Sequence, residues 1–311
     1  MDKKRWVIGG VLLAAALILL PWVTNPYIIS LFFMLFVYVG YAEAWNIMSG
    51  LTGYVNFGYS LFVGIAGYAG IILMMDCGLW WPLGVVLGGA APAAVAVLLG
   101  AVMLRLRGSY FAIGMLALHM GGMLLFASKY LTPLTRGGAG FPFISPLSLP
   151  ELYYAAMAVA VLTIYVTYRI LTSPFGARLL AIREDEEAAG SLGINATNNK
   201  MAAFVLSAFF GGMMGAIHFS FQNYIEPHSA FNGKWTIVPI VMVLLGGPGT
   251  LWGPVIGAVI LTLVEEFLWS YFTQAYMMIY GAVMVLLVLL MPGGIIEWLK
   301  ERGTLPKVRT L

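Results

Sequence analysis

Trp81-Pro-Leu-Gly-Val-Val-Leu-Gly-Gly-Ala-Ala-Pro-Ala-Ala-Val-Ala-Val-Leu-Leu-Gly-Ala-Val-Met-Leu104 carries no ionisable side chain and stops at Arg105. About twenty apolar residues in an α-helix cross the hydrocarbon of a bilayer. This run is long enough. It also lacks the polar face that a helix on the surface of a soluble protein needs.

Comparable runs lie on both sides of it, near 6–23, 27–48, 55–75, 110–127, 152–171, 201–221, 235–246, 253–272 and 275–291. With 81–104 they make about ten candidate transmembrane helices, the one at 235–246 being short. Helices are the expected form, because every backbone polar group must be paired inside lipid and these runs do not alternate as barrel strands do. The fold class is therefore all-α, a polytopic integral membrane protein forming a single transmembrane domain over residues 1–311. Composition agrees: 61% of the 311 residues are hydrophobic and 9% charged, and the mean hydropathy is +0.92. That excludes a soluble enzyme, a nucleic-acid binder and a disordered chain. Cys77 stands alone and cannot close an intrachain disulfide. The first run follows Met1-Asp-Lys-Lys-Arg5, and no small-x-small pattern follows Leu20-Pro21-Trp22, so it is expected to be a retained anchor.

The basic residues set an orientation. With the N-terminus in the cytoplasm and every run crossing, thirteen of the sixteen Lys and Arg fall on inner segments. Only Lys129, Arg136 and Lys234 fall outside. Cytoplasmic loops carry such an excess, so both termini are expected to be cytoplasmic. Dropping one crossing would move the basic tail outside. An even number fits the charges, but ten and eight fit equally. Trp22, Trp80 and Trp81 are expected at the membrane interface.

Two connections stand out. Segment 128–150, on the extracytoplasmic side, holds Pro133, Pro142, Pro146 and Pro150 with Gly137, Gly138 and Gly140, a composition that resists regular structure. Segment 172–200 is the long cytoplasmic loop and holds the dense charge run Arg183-Glu-Asp-Glu-Glu187. Ser173 before Pro174 is a helix start. A helix is expected from Arg178 through Ala189, with Arg183 and Glu187 on one side and Gly190 and Gly193 ending it. Thr197 is then a plausible cap for the next span, and Lys200 is expected at the interface. Charge alone leaves open a merely solvated loop helix.

Arg178-Leu-Leu-Ala-Ile-Arg-Glu-Asp-Glu-Glu-Ala-Ala189, with Leu192-Gly-Ile-Asn195, Lys200, Ala203-Phe204, Ser207-Ala208 and Gly211-Gly212, resembles the cytoplasmic loop of ABC importer permeases. It is most similar to that of the M-type permease subunit of branched-chain amino acid importers. Asn46-Ile-Met-Ser-Gly50 with Gly53 and Asn56-Phe-Gly58, Leu106-Arg-Gly-Ser-Tyr-Phe-Ala-Ile113, and Gly246-Gly-Pro-Gly-Thr-Leu-Trp-Gly-Pro-Val-Ile-Gly257 resemble further segments of the same family, in the same order. The resemblance implies a coupling helix that sits in a groove of a cytosolic ATPase, with Arg183, Glu184, Glu187, Ala188, Ala189 and Gly193 as coupling residues. It further implies a second homologous permease, two cytosolic ATP-binding subunits that hold ATP and Mg, and an extracytoplasmic substrate-binding protein. The chain itself is expected to hold no cofactor and no metal. Asn56 and Tyr59 stand where the family usually has Ser and His, and His119-Met120 where it commonly has Gln or Glu. Urea and short amides therefore remain alternatives to a branched-chain or other hydrophobic amino acid.

Residues inside the spans supply the candidate solute pathway. Ionisable groups there are costly and point to function, which selects Glu43 and His119, with His218 beside them; Glu265 and Glu266 lie toward the outer end. Gly50, Gly53 and Gly58 let the backbone break at membrane depth, which is tolerated only against protein or a cavity. Asn46 and Asn56 flank that break. Gly249, Gly253 and Gly257, four residues apart, read instead as close helix packing. A phosphate loop Gly-x-x-x-x-Gly-Lys-Ser/Thr is missing, for Gly233-Lys234-Trp235 does not match it, so power must come from another subunit. Neither His-Glu-x-x-His nor Gly-x-Ser-x-Gly occurs. The competing readings are an intramembrane enzyme using His119 or His218 with Glu43, which requires a histidine within one hydrogen bond of a carboxylate, and a channel or secondary carrier needing no ATPase.

Overall fold

The computed structural model describes residues 3–272, 274–290 and 293–302; residue 291 of the last apolar run and the basic Lys307 and Arg309 lie outside them. Every apolar run named above holds a helix, the one at 55–75 only from Tyr59 onward. In chain order the helices are α1 Lys3–Val23, α2 Pro26–Trp45, α3 Tyr59–Met75, α4 Trp81–Met103, α5 Ser109–Ala127, α6 Thr132–Thr135, α7 Leu149–Leu171, α8 Pro174–Glu184, α9 Glu186–Ser191, α10 Ala196–Gln222, α11 Pro227–Ala230, α12 Lys234–Gly246, α13 Gly253–Tyr271, α14 Tyr276–Leu290 and α15 Gly294–Glu301. Among the described residues seven helical stretches are long and apolar enough to cross a membrane: Pro26–Gly50, Trp81–Met103, Ser109–Ala127, Leu149–Leu171, Ala196–Gln222, Pro227–Gly246 and Gly253–Tyr271. Tyr59–Met75 is apolar but shorter.

The core forms around α10, which packs against α2, α3, α4 and α7. Small residues let the backbones approach, as they do in lipid-embedded bundles. A Cβ on Gly212 would lie 2.5 Å from Pro92 Cγ and 3.0 Å from Gly89 Cα. Large side chains fill the space between: Phe62, Phe204 and Phe219 are fully buried. The outer surface is apolar, with Leu98, Ile113, Leu124 and Met278 more than half exposed. Trp22 and Trp80 are exposed at helix ends, as interface residues are.

Two connections are more ordered than their composition predicts. Within 128–150, α6 forms and Phe141–Pro142 pairs antiparallel with Tyr224–Ile225. Pro142 can sit there because a two-strand ribbon is all edge. Within 172–200, one helix was expected and two form. Ser173 caps α8 by accepting from Gly176 N–H, but the chain leaves the helix at extended Asp185 (φ −158°, ψ 112°), whose carboxylate caps α9 through Glu187 N–H and Ala188 N–H. An Asp ahead of Glu-Glu-Ala-Ala is a better helix start than a helix interior. The cap of α10 is Asn195, which accepts from Asn198 N–H, rather than Thr197.

Candidate functional site

Helix α2 loosens into a π-helical turn over Asn46–Gly50, and the chain is non-helical from Gly53 to Gly58. A second break separates α12 from α13 over 247–252. The two breaks touch. Asn46 Nδ2 donates to Thr250 O at 3.0 Å and Asn46 Oδ1 accepts from Gly249 N–H at 2.9 Å, so one buried amide pairs two main-chain groups left over by the second break. Gly249 has φ +76°, a conformation in which an L side chain is strained. A Cβ on Gly246 would lie 1.7 Å from Gly253 O, and one on Gly257 1.8 Å from Met242 O. The second glycine-rich segment is thus close packing, as its four-residue spacing predicts.

Arg183, near the end of α8, spans both breaks from below. Its Nη1 donates to Gly50 O at 2.8 Å and to Pro248 O at 3.1 Å. Guanidinium to carbonyl is a charge-assisted bond, stronger than a neutral one. The break at Asp185 then turns Glu187 away from Arg183, toward Arg107 before α5, at 2.7 Å. Both of those side chains are more than 60% exposed, so the pair contributes little to stability. Ala189 is buried. Glu184, Glu187, Ala188, Leu192 and Gly193 are exposed, Gly193 with φ +82°.

Beside this contact lies a cluster that sequence reasoning missed. Lys200, expected at the interface, is 1% exposed. Its Nζ donates to Glu186 Oε1 at 2.8 Å and to Tyr54 Oη at 2.9 Å, and lies 4.1 Å from the Tyr54 ring centroid. Tyr54 in turn donates to the other oxygen of Glu186. Burial pushes the Glu186 carboxyl up, but hydrogen bonds from Lys200 and Tyr54 and the charges of Lys200 and Arg107 outweigh it, so the group titrates below the usual carboxylate range. Burial and the Glu186 contact push the Tyr54 phenol up. The signal available was Tyr54 inside the first break and Lys200 on the apolar side of a helix start, an ionisable residue where none is cheap.

The remaining pathway candidates are dispersed. Glu43 is fully buried and neither carboxylate oxygen has a hydrogen-bond partner. Asn56 is fully buried; its Oδ1 accepts from Gly58 N–H while its Nδ2 has no partner. His119 Nδ1 meets Ser60 Oγ at 2.7 Å, and Ser60 is bonded to Thr236. His218 lies against Trp235, with Tyr41 Oη at 3.3 Å and Gln222 Nε2 at 2.8 Å. Neither histidine has a carboxylate in those direct contacts.

Taken together, α8, α9 and the start of α10 hold the two helix breaks through Arg183, Lys200 and Glu186. Such an arrangement can carry a displacement of the exposed face of α9 into the membrane domain.

The match to known families agrees in kind. Residues 27–288 match the family model described as branched-chain amino acid transport system / permease component. The chain is similar to the high-affinity branched-chain amino acid transport system permease protein LivM of Salmonella typhimurium, 29% identical over 89% of this chain and 71% of that protein. It is 28% identical to the protein of the same name from Escherichia coli, over 95% of this chain and 75% of that protein. Similarity extends to Escherichia coli LivH, a permease protein of the same transport system, at 30% identity over 45% of this chain and 44% of that protein. No solved structure matches.

Proposed function

The chain belongs to the branched-chain amino acid transport permease family, and we propose that it is the membrane-spanning subunit of an ATP-driven importer for a branched-chain or other hydrophobic amino acid. The observation that carries the mechanism is Arg183, which binds the carbonyls of Gly50 and Pro248 from a helix lying outside the apolar spans. In this reading two cytosolic ATP-binding subunits, which hold ATP and Mg, grip the loop 172–200 through Glu184, Glu187, Ala188 and Gly193. Ala189 seats α9 on the membrane domain. When the ATPases close, α8 and α9 move, and Arg183 moves the helix breaks at 46–58 and 247–252 with them.

All ten apolar helices cross in this reading, with both termini cytoplasmic and 128–150 outside, where an extracytoplasmic binding protein delivers the solute. Similarity to both LivM and LivH supports a second, homologous permease as partner. Glu43, Asn46, Asn56 and His119 are assigned to the pathway. Glu43 has the strongest claim among them, since a buried carboxylate with neither oxygen paired costs several kcal/mol, about 2–7 for even a neutral polar group.

The deciding experiment is purification of the chain from cells that also express its companion subunits, followed by ATP-dependent leucine uptake in proteoliposomes. Co-purification of an ATPase and uptake that stops without ATP are the expected results. A chain that comes alone and passes solute without nucleotide is a channel or carrier instead.

A further inference from the structure

At the end of the bundle opposite Arg183, α2, α10, α12 and α13 line a half-open cavity of about 460 Å³. Small-molecule sites commonly hold roughly 300–1,000 Å³. Tyr27 and Tyr38 of α2 both line it, eleven residues and three turns apart, so it runs along about 16 Å of that helix. Its mouth is charged. Lys234 Nζ lies 2.7 Å from Glu265 Oε1, and Tyr27 donates to Glu266. Leu31, Met34 and Phe221 give it an apolar wall.

Two hydroxyls inside make no hydrogen bond to the protein, and that of Tyr38 faces the Glu265 carboxylate. Tyr38, 2% exposed, and Thr262, 4% exposed, line the cavity, and neither hydroxyl makes a hydrogen bond. A helical Thr ordinarily bonds a carbonyl one turn back, so an unbonded Thr262 beside an unbonded Tyr38 is informative. Tyr59, Tyr68, Ser207 and Tyr280 also carry buried unbonded hydroxyls, so it is the position of Tyr38 and Thr262 in a cavity beside charged groups that points to an occupant. The occupant must offer hydrogen bonds inside, charge of both signs at the mouth and an apolar part against the wall.

We propose that this cavity binds the free zwitterion of a hydrophobic α-amino acid on its way through the membrane. Lys234 takes its carboxylate, Glu265 and Glu266 its ammonium, and Tyr38 and Thr262 the hydrogen-bonding capacity left over. An ammonium has three donors and a carboxylate about four acceptor sites, so the ligand inserts into the Lys234–Glu265 pair without stripping either. The zwitterion brings no net charge, so the charge balance of the mouth is unchanged. An amine or a fatty acid would each leave one half of the pair unanswered. The proposal rests on the importer reading for its solute class.

The test is equilibrium binding of radiolabelled leucine to the intact importer in lipid nanodiscs, with leucinamide and isocaproate as competitors, and uptake measured in parallel. Saturable leucine binding is expected, with both competitors weaker by about tenfold or more, as loss of one charge-assisted contact requires. Lys234→Gln should weaken leucine by a similar factor. Tyr38→Phe removes an unbonded hydroxyl, so it should leave assembly intact and weaken leucine several-fold. Thr262→Val should act likewise. Leucinamide binding as tightly as leucine makes this a cation site and overturns the proposal. Unchanged affinity in Lys234→Gln and Tyr38→Phe overturns it too, as does a Lys234→Gln importer that loses its second permease while leucine affinity persists, since the cavity is then a subunit interface. Wild-type uptake with no effect of these variants refutes the cavity and leaves the importer standing, whereas absence of any ATP-driven uptake refutes the importer.

Discussion

The guanidinium of Arg183 donates to the carbonyl of Gly50 at 2.8 Å, joining residues 133 positions apart and tying a loop helix to the end of a π-helical turn inside the bundle. A π-turn has a register that can shift, and such turns are frequent at functional sites. Arg183→Gln should therefore leave ATP hydrolysis by the assembled importer near wild type and lower leucine uptake per ATP by about tenfold, the loss of one to two charge-assisted bonds. Arg183→Lys, which keeps the charge and loses the fork, should fall between. Uptake per ATP equal to wild type in both variants would show that Arg183 transmits nothing.

Lys200→Met leaves Glu186 and Tyr54 facing each other without a cation. Thermal unfolding in detergent should show a loss of about 2–3 kcal/mol, below the range for fully buried pairs because the Glu186 side chain retains 21% exposure. Glu186→Gln should cost less, since Lys200 keeps a neutral acceptor.

The same cluster sets a pH dependence. The Glu186 carboxyl titrates below its usual value in the folded protein, so its stabilisation is complete above the ordinary glutamate range and is lost as pH falls through the lowered value. Stability measured from pH 8 down to 5 should show a full and unchanging contribution from Glu186, and the difference between wild type and Glu186→Gln should shrink only below about pH 4.5.

Glu187→Ala removes an exposed ion pair and should leave the melting temperature of the chain unchanged. If α9 docks an ATPase, the same variant should weaken ATPase co-purification, and Glu187→Arg should weaken it further. Equal recovery of the ATPase in both would remove Glu187 from the docking face.

Glu43→Leu relieves a buried carboxyl with two unbonded oxygens, so it should hold or raise stability. Its uptake should nevertheless fall. A variant both as stable and as active as wild type would make Glu43 a tolerated defect.

Apolar runs, which need only length and the absence of charge, were legible in the sequence, and so was the break at 46–58, which glycine and asparagine announce, whereas the glycines of 246–257 read as close packing alone. Partners were not. Nothing in the sequence around Asn46 announces that its amide bonds Thr250 and Gly249, more than two hundred residues away. A lysine near a helix start reads as an interface residue until Tyr54 and Glu186 come to cover it, which is how Lys200 was misplaced. The charge run 183–187 reads as one helix by periodicity, because periodicity does not register that Asp185 gains more as a cap than as an interior residue. Arg183 and Glu187 then diverge.

One nitrogen, Arg183 Nη1, holds carbonyls from two separate stretches of chain at once. Neither stretch can travel far while the other stays still without breaking one of two charge-assisted bonds. A gate hung on a common pin has a single hinge coordinate: it swings whole, and half-open states that would leak solute down its gradient are sparsely visited.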